Sequence, residues 1–283
     1  MVLDESGFSA YRVDVDWGLN FLSVMNPPEL SRRTFVVQSL ATAGPAVLAA
    51  SALPLAAAEP KEGQATSRPL KIVCIGGHPD DPESGCAGTL ARYVQLGHSA
   101  VIIYLTRGER GILGKKNDEA AAIRGAECQA ACKILGAKAV FAGQIDGSTE
   151  MTRNRAMELI KLVSVEAPDV VFAHWPIDTH LDHQVASMLA FRAYLLLPRR
   201  PQLYLFEVNT GSQSLGFAPN TYVDVSTVLE KKKAAILAHV SQDGQGIWRD
   251  HHEPIARWRG REAGVAAAEA FFHLNRDSKL PAL

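Results

Sequence analysis

The chain has 283 residues, of which 47% are hydrophobic and 21% charged, and its formal charge is −1. This is the composition of a soluble globular protein, long enough for one main domain with a sizeable core. A balance so close to zero implies no polyanionic partner or membrane surface, and nothing resembles a basic nucleic-acid face.

The first residues are acidic, with Asp4, Glu5, Asp14 and Asp16, the wrong charge for the start of an export signal. Ser31-Arg32-Arg33-Thr34-Phe35-Val36 then opens an uncharged run to Ala58, rich in Ala and Leu and ending in Ala56-Ala57-Ala58. A positive segment, an apolar segment and small residues are the three parts of a cleavable signal. The arginine pair followed by Thr-Phe resembles a bacterial twin-arginine signal. It implies transport by the twin-arginine machinery to the periplasm or the exterior, a route that carries folded, metal-loaded protein. A retained membrane anchor and a buried helix are the alternatives, because the uncharged run is long enough to span, although Gly44, Pro45 and Pro54 interrupt it. Met25 would give the signal a conventional start, so translation is expected to begin there. The organisation expected is leader and signal over 1–58, a polar tether over 59–68 and one domain over 69–283. Removing the three arginines and five acids before Glu59 leaves 26 basic and 25 acidic side chains, nearly neutral.

Beyond the tether, strand-like and helix-like segments alternate. Strands are expected at Leu70–Ile75, Ser99–Leu105, Ala139–Ala142, Val170–Ala173 and Leu203–Val208, and helices at Ala87–Gln95, Asn117–Leu135, Met151–Val165 and Leu181–Leu196. Apolar, non-alternating strands joined by helices predict a parallel sheet covered on both faces, a Rossmann-like three-layer α/β/α fold. The C-terminal part reads as Tyr222–Val225, a helix over Thr227–His239, a Trp-, Arg- and His-rich loop over Gly244–Gly260 and a closing helix over Glu262–Phe272. That loop either folds beside the pocket or is a surface connection. Cys74, Cys86, Cys128 and Cys132 contain no C-x-x-C and read as buried small hydrophobes rather than a disulfide framework.

The unusual residues fall at the carboxyl ends of the strands: Gly77–Glu83, Thr106–Gly111, Gly143–Gly147 around Asp146, and His174–His183. Converging loops there are where an open α/β sheet places a site. The first loop matches neither a dinucleotide nor a P-loop pattern, and its acids would repel phosphate, which excludes nucleotide binding. His78 and Asp81, three apart in that loop, can bind one ion with His183 from the other. Two His and one Asp are a common catalytic zinc set with a position left for water. Asp80 beside them suits a general base, and His180, one helical turn before His183, can donate to an oxygen that becomes negative. Asp182 reads either as part of the site or as a first-turn acid favouring the helix dipole. Asp178 either holds His180 or His183 or forms the turn after Pro176, and His174 is undecided. His251-His252-Glu253 offers a second metal set only if the histidines share a target.

The run GGHPDDPESGCAGTL from Gly76 resembles the A-H-P-D-D-E signature of the LmbE-like or PIG-L family of zinc-dependent N-acetylglucosaminyl deacetylases, and His180-Leu181-Asp182-His183 resembles its H-P-D-H. Thr106-Arg107-Gly108-Glu109, Arg124 with Glu127, His239-Val240-Ser241-Gln242, Arg259-Gly260 and Ala268-Glu269-Ala270-Phe271 extend the resemblance over about residues 69–273. It implies an LmbE-like fold, His78, Asp81 and His183 as metal ligands, Asp80 as general base and His180 as oxyanion stabiliser. The cofactor implied is Zn²⁺, with Fe²⁺ or another divalent ion open to the same ligand set. The substrate implied is an N-acetylated sugar or glycoconjugate, with Arg107 and Asp146 on the rim as readers of its hydroxyls. Hydrolysis of another amide or ester, or carbohydrate binding without turnover, are the alternatives. Pro82 and Leu181 depart from the family pattern, and Pro82 puts the position of Glu83 in question.

Overall fold

The structure is a computed structural model and describes residues 68–274. The expectations for the leader, the arginine pair, the uncharged run and the tether before Arg68 lie outside the described residues. Seven strands form one sheet in the order β3-β2-β1-β4-β5-β7-β6. β1 (Lys71–Gly76), β2 (Ser99–Tyr104), β3 (Lys138–Phe141), β4 (Val170–His174) and β5 (Gln202–Phe206) are parallel, while β7 (Ala268–His273) runs antiparallel between β5 and β6 (Thr221–Asp224), which points the same way as the first five. The winding direction reverses between β1 and β4. Their carboxyl ends therefore open a crevice between diverging loops.

Alternation along the buried strands sends side chains to two separate cores. Ile72 and Cys74 of β1 join a core with α1 (Asp81–Gln95), α2 (Asn117–Leu135) and α5 (Leu229–Leu237), whereas Val73 and Ile75 pack with α3 (Arg153–Glu166) and α4 (Leu181–Leu196). This is the three-layer α/β/α arrangement expected from the alternating segments. The expected bounds of α2 and α4 match residue for residue. Helix α1 begins six residues before the expected Ala87, at Asp81. Its second residue is Pro82, whose missing N–H is no loss in a first turn. A Cβ on Gly76 would come within 2.5 Å of that proline ring, so the strand end and the helix start can approach only through glycine. The four cysteines are free and buried, as expected. Among the described residues no helix is long and apolar enough to cross a membrane.

Two expectations in the C-terminal part are corrected. Gly244–Gly260 is not a loop: α6 (Gly244–Ile247), a π-helical turn over Trp248–His252 and α7 (Glu253–Ala263) follow one another directly. The π turn adds a residue and shifts the helical phase, which erases the apolar spacing a sequence reading looks for. Glu262–Phe272 is not a closing helix either. Gly264, with φ of 73°, ends α7 in the left-handed region, and Ala268–His273 enters the sheet between β5 and β6. Its alanines favour a helix in isolation, but pairing with β5 and β6 and the burial of Phe271 decide for a strand.

Candidate metal centre

The site starts where β1 runs out. Gly77 donates its N–H to Nε2 of His174 at 3.0 Å, and a Cβ there would meet His183 Cδ2 at 3.1 Å and Asp81 Oδ2 at 3.2 Å. The chain then turns so that Asp81, the first residue of α1, points back under the loop. Its carboxylate accepts from the His78 N–H at 2.7 Å. Nδ1 of His78 and Nε2 of His183 each lie 3.2 Å from an Asp81 oxygen. Tetrahedral coordination with bonds of 2.0–2.1 Å would separate neighbouring ligand atoms by about 3.3 Å. His78 and His183 thus both converge on Asp81, though on different oxygens, and the groups whose ligand atoms all lie within 4.8 Å of one another are His78–His180–His183, Asp81–His174–His183 and His78–Asp146–Asp182, which share the three expected ligands between them.

His174 also approaches Asp81, at 3.4 Å, and stacks on His183 with centroids 4.3 Å apart. Its Nε2 is already filled by the Gly77 N–H, and burial pushes its proton affinity down to about 4, so the ring is neutral with its proton on Nδ1. It acts as a spacer under His183. His180 lies in ligand range of His78 and His183, but its Nδ1 accepts from the Asp182 N–H at 3.2 Å. Burial, then the charges of His78 and His183, keep His180 neutral, which leaves an Nε2–H to donate.

Carboxylates hold the proposed ligands from behind. Asp178 Oδ1 contacts His183 Nδ1 at 3.1 Å and accepts from the His180 N–H at 2.8 Å, while Oδ2 accepts from the Ser214 hydroxyl. His78 Nε2 faces Asp182 Oδ2 at 3.0 Å and Asp146 Oδ1 at 3.1 Å. Asp182 is fully buried and accepts from Thr149 Oγ1 and Gly147 N. It is thus an anchor for His78 rather than a first-turn surface acid. Asp146 stands in the wall, tied to His78 and to the Arg110 N–H, instead of facing outward as a rim residue. Arg107 points away from the cavity and lies over the Phe141 ring at 5.0 Å, while Arg110 takes the position at the mouth. The spacing of the Thr106–Gly111 loop gives no means of choosing between those two arginines.

Electrostatics supply the test of whether a cation fits. Burial opposes the charge on Asp81, yet the neighbouring His183 holds its carboxylate well below the usual range. Asp146, Asp178 and Asp182 are lowered as well, each against the effect of burial, by their histidine contacts. Burial also opposes protonation of His183, but Asp81 and Asp178 raise it to about 9, and Asp146, Asp182 and Asp81 raise His78. Four carboxylates thus face His78 and His183, and a bound cation would take the place of the protons that they draw onto these two rings, since an imidazole ligates only when neutral.

Asp80 sits beside this cluster at φ of 111°, a conformation rare outside glycine and held only by surrounding bonds. Glu83 Oε2 accepts from the Asp80 N–H at 3.2 Å, so Pro82 does not displace Glu83 from the site; Tyr104 donates to the other Glu83 oxygen at 2.6 Å. Arg124 reaches in from α2 and donates to the Pro79 carbonyl at 2.6 Å and to Asp80 Oδ2 at 2.9 Å. Gly108 and Gly111 make room for its guanidinium, because a Cβ at either would collide with it. Burial raises the Asp80 carboxyl to about 6, with Arg124 opposing. Glu127, also on α2, accepts from the N–H and hydroxyl of Ser241 and so fixes the turn carrying His239 and Gln242. Above these residues opens a cavity of about 440 Å³, lined by His78, Asp80, Asp81, His180 and His183 at its base.

Residues 73–194 match the profile of the PIG-L family, GlcNAc-PI de-N-acetylase. The diacetylchitobiose deacetylase of Thermococcus kodakarensis is 32% identical over 217 residues, covering 70% of this chain and 81% of that protein. The chain belongs to the PIG-L family. The solved N,N'-diacetylchitobiose deacetylase of Pyrococcus horikoshii, in complex with an inhibitor, superposes on this PIG-L chain with a TM-score of 0.64. It is 28% identical, over 72% of this chain and 84% of that one. A 4-oxalmesaconate hydratase of Pseudomonas putida is 26% identical, over 69% of this chain and 83% of that protein. Family membership and the buried His/Asp cluster together make this PIG-L protein a metal-dependent hydrolase of the N-deacetylase kind.

The raised proton affinity of His183 has a measurable consequence. Without metal, its contribution to stability is fully present below about 6.5 and is lost as pH rises through about 9. Metal-stripped protein should therefore unfold at a lower temperature at pH 9 than at pH 6.5, and saturating Zn²⁺ should remove most of the difference. Thermal unfolding followed by circular dichroism across that range checks it.

Proposed function

We propose that the protein removes an acetyl group from an N-acetylated amino sugar or sugar conjugate, with Zn²⁺ held by His78, Asp81 and His183. The observation that carries this reading is Asp80, a carboxylate held in a strained backbone beside the proposed ligands and raised toward neutrality. A divalent ion in this set supplies a Lewis acid that polarises the acyl oxygen and makes water easier to deprotonate. Asp80 takes the proton of the attacking water and returns it to the departing amine nitrogen, which needs a proton to leave. His180 donates from Nε2 to the acyl oxygen as negative charge gathers on it. Arg124 and Glu83 keep the Asp80 carboxylate aimed at the cavity. The likeness to diacetylchitobiose deacetylase supports acetate release over the water addition performed by the hydratase relative, which is the second reading.

Acetate should be released from N-acetylglucosamine or a short N-acetylated oligosaccharide, and a chelator should stop it. Asp80→Asn should keep its metal and lose roughly 10²–10⁴-fold in rate. With the parent protein, activity should fall on the acid side at or below about pH 6, since a cation beside Asp80 can only lower its proton affinity. Asp80→Asn activity within a few-fold of the parent would remove Asp80 from the role of base.

His180→Ala should lower kcat by roughly 10²–10³-fold with KM little changed and metal content intact. Elemental analysis beside the kinetics separates the roles, because loss of the ion would make His180 a ligand.

We also propose that the protein is exported by the twin-arginine route, on the strength of Arg32-Arg33 before the uncharged run to Ala58. N-terminal sequencing of the protein from its native host should then begin close to Glu59. A start at Val2 or Leu3 would overturn both cleavage and the expected initiation at Met25.

A further inference from the structure

The hydrolytic steps leave one pair at the cavity unused. Ser84 stands three residues after Asp81 in the first turn of α1, is only partly buried, and lines the catalytic cavity. Its Oγ lies 2.9 Å from Nε2 of His252, and its carbonyl accepts from Lys232 Nζ at 2.7 Å. His252 comes from the π turn, whose extra residue carries this imidazole inside while His251 remains exposed. Burial and the neighbouring Lys232 keep the ring neutral. The adjacent histidines therefore share no target, and His252 alone reaches the site.

A second cavity of about 20 Å³ lies behind the first, and Ser84 and Asn209 line both. Ser84 thus forms part of the partition between the two, with its hydroxyl held by His252. A hydroxyl has one donor and two acceptor positions, and His252 occupies one of these. Whichever tautomer the ring adopts, the Ser84 oxygen keeps an acceptor position that His252 does not use. It keeps its proton as well if His252 donates. A partner that both donates and accepts suits either case, and a sugar hydroxyl does both.

We propose that Ser84, oriented by His252, is a specificity-determining group that hydrogen-bonds one ring hydroxyl of the amino sugar in the catalytic cavity. The proposal rests on the N-deacetylase reading and assigns part of its substrate recognition. Ser84 touches the substrate, and His252 is a positioning residue that acts through it. Neither takes part in bond breaking, so their loss should be felt in substrate binding.

The experiment uses full-length zinc-loaded protein and measures acetate release from N-acetylglucosamine and from its monodeoxy analogues. The parent should disfavour one analogue by roughly 5- to 100-fold in kcat/KM, the range for leaving a buried polar group unpaired. Ser84→Ala should raise KM for the intact sugar, keep kcat within a few-fold, and no longer distinguish that analogue. Ser84→Thr, which keeps the hydroxyl, should restore the discrimination, and His252→Phe should weaken it. Unchanged relative rates for all analogues in Ser84→Ala would overturn the proposal while leaving the N-deacetylase reading intact. An acetylated Ser84 found by mass spectrometry would also overturn it, by making the residue a nucleophile. No acetate from any sugar with the parent protein would remove the N-deacetylase reading and this proposal with it.

Discussion

Keeping one carboxylate ionised out of water is the constraint around which this protein is built. Asp81 is almost fully buried, and an isolated buried carboxylate would cost several kcal/mol or protonate instead. The fold answers with the N-terminus of α1, the His78 N–H and the two imidazoles of His78 and His183, brought from the loops after β1 and β4. Each imidazole then needs its own partner, which brings in Asp178, Asp182 and Asp146. The outward sequence of partners explains why so many polar side chains lie below the surface of a single crevice. It also explains the two glycines at the end of β1. Gly76 admits the Pro82 ring and Gly77 admits His183, so the loop can press against the helix that presents Asp81.

The sequence was most legible where local and tertiary preferences agree. Helices α2 and α4 are long runs without proline, α4 apolar nearly all round, and α2 meets a left-handed Gly136 where it stops. That His78, Asp81, His180 and His183 gather at one place was legible because both clusters follow strands at the carboxyl edge of the sheet. The supporting shell was less so, since Thr149, Gly147 and Glu109 reach the site only through the folding of separate loops. Glu109, for instance, accepts from the Asp146 N–H across 37 positions. The C-terminal part misled for two opposite reasons. The π turn hid a real helix, and the alanines of β7 imitated one. In both cases the deciding information lay in what the segment packs against.

That C-terminal part fastens the floor of the site. Glu269 of β7 accepts from the Gly88 and Thr89 N–H groups of α1 and from Lys232 Nζ at 2.6 Å, while Lys232 also reaches the Ser84 carbonyl. Gly88 lies against Val225 and Glu269 with no space for a Cβ, and Gly85 against Phe206. Arg259 pairs in bidentate fashion with Glu207 at the end of β5. Buried pairs of this kind add little net stability, but removing one partner leaves a charge stranded, so they fix relative position strongly. Helix α1 is therefore gripped at two places, by the His/Asp cluster at its start and by Glu269 of β7 at its middle.

The place of β7 in the sheet sets the order in which the molecule can be completed. β6 is paired with β7 alone, and β7 joins it to β5, so the sheet closes only when the last described strand arrives. Pairing of β1 with β4 already links residues almost a hundred positions apart, as with Ile72 and Val170, and such distant pairings form slowly. On the ribosome, every proposed ligand has emerged by His183, whereas the carboxylate that locks Lys232 against α1 follows more than eighty residues later. A nascent chain thus carries its proposed ligands well before it has the floor that holds them in register.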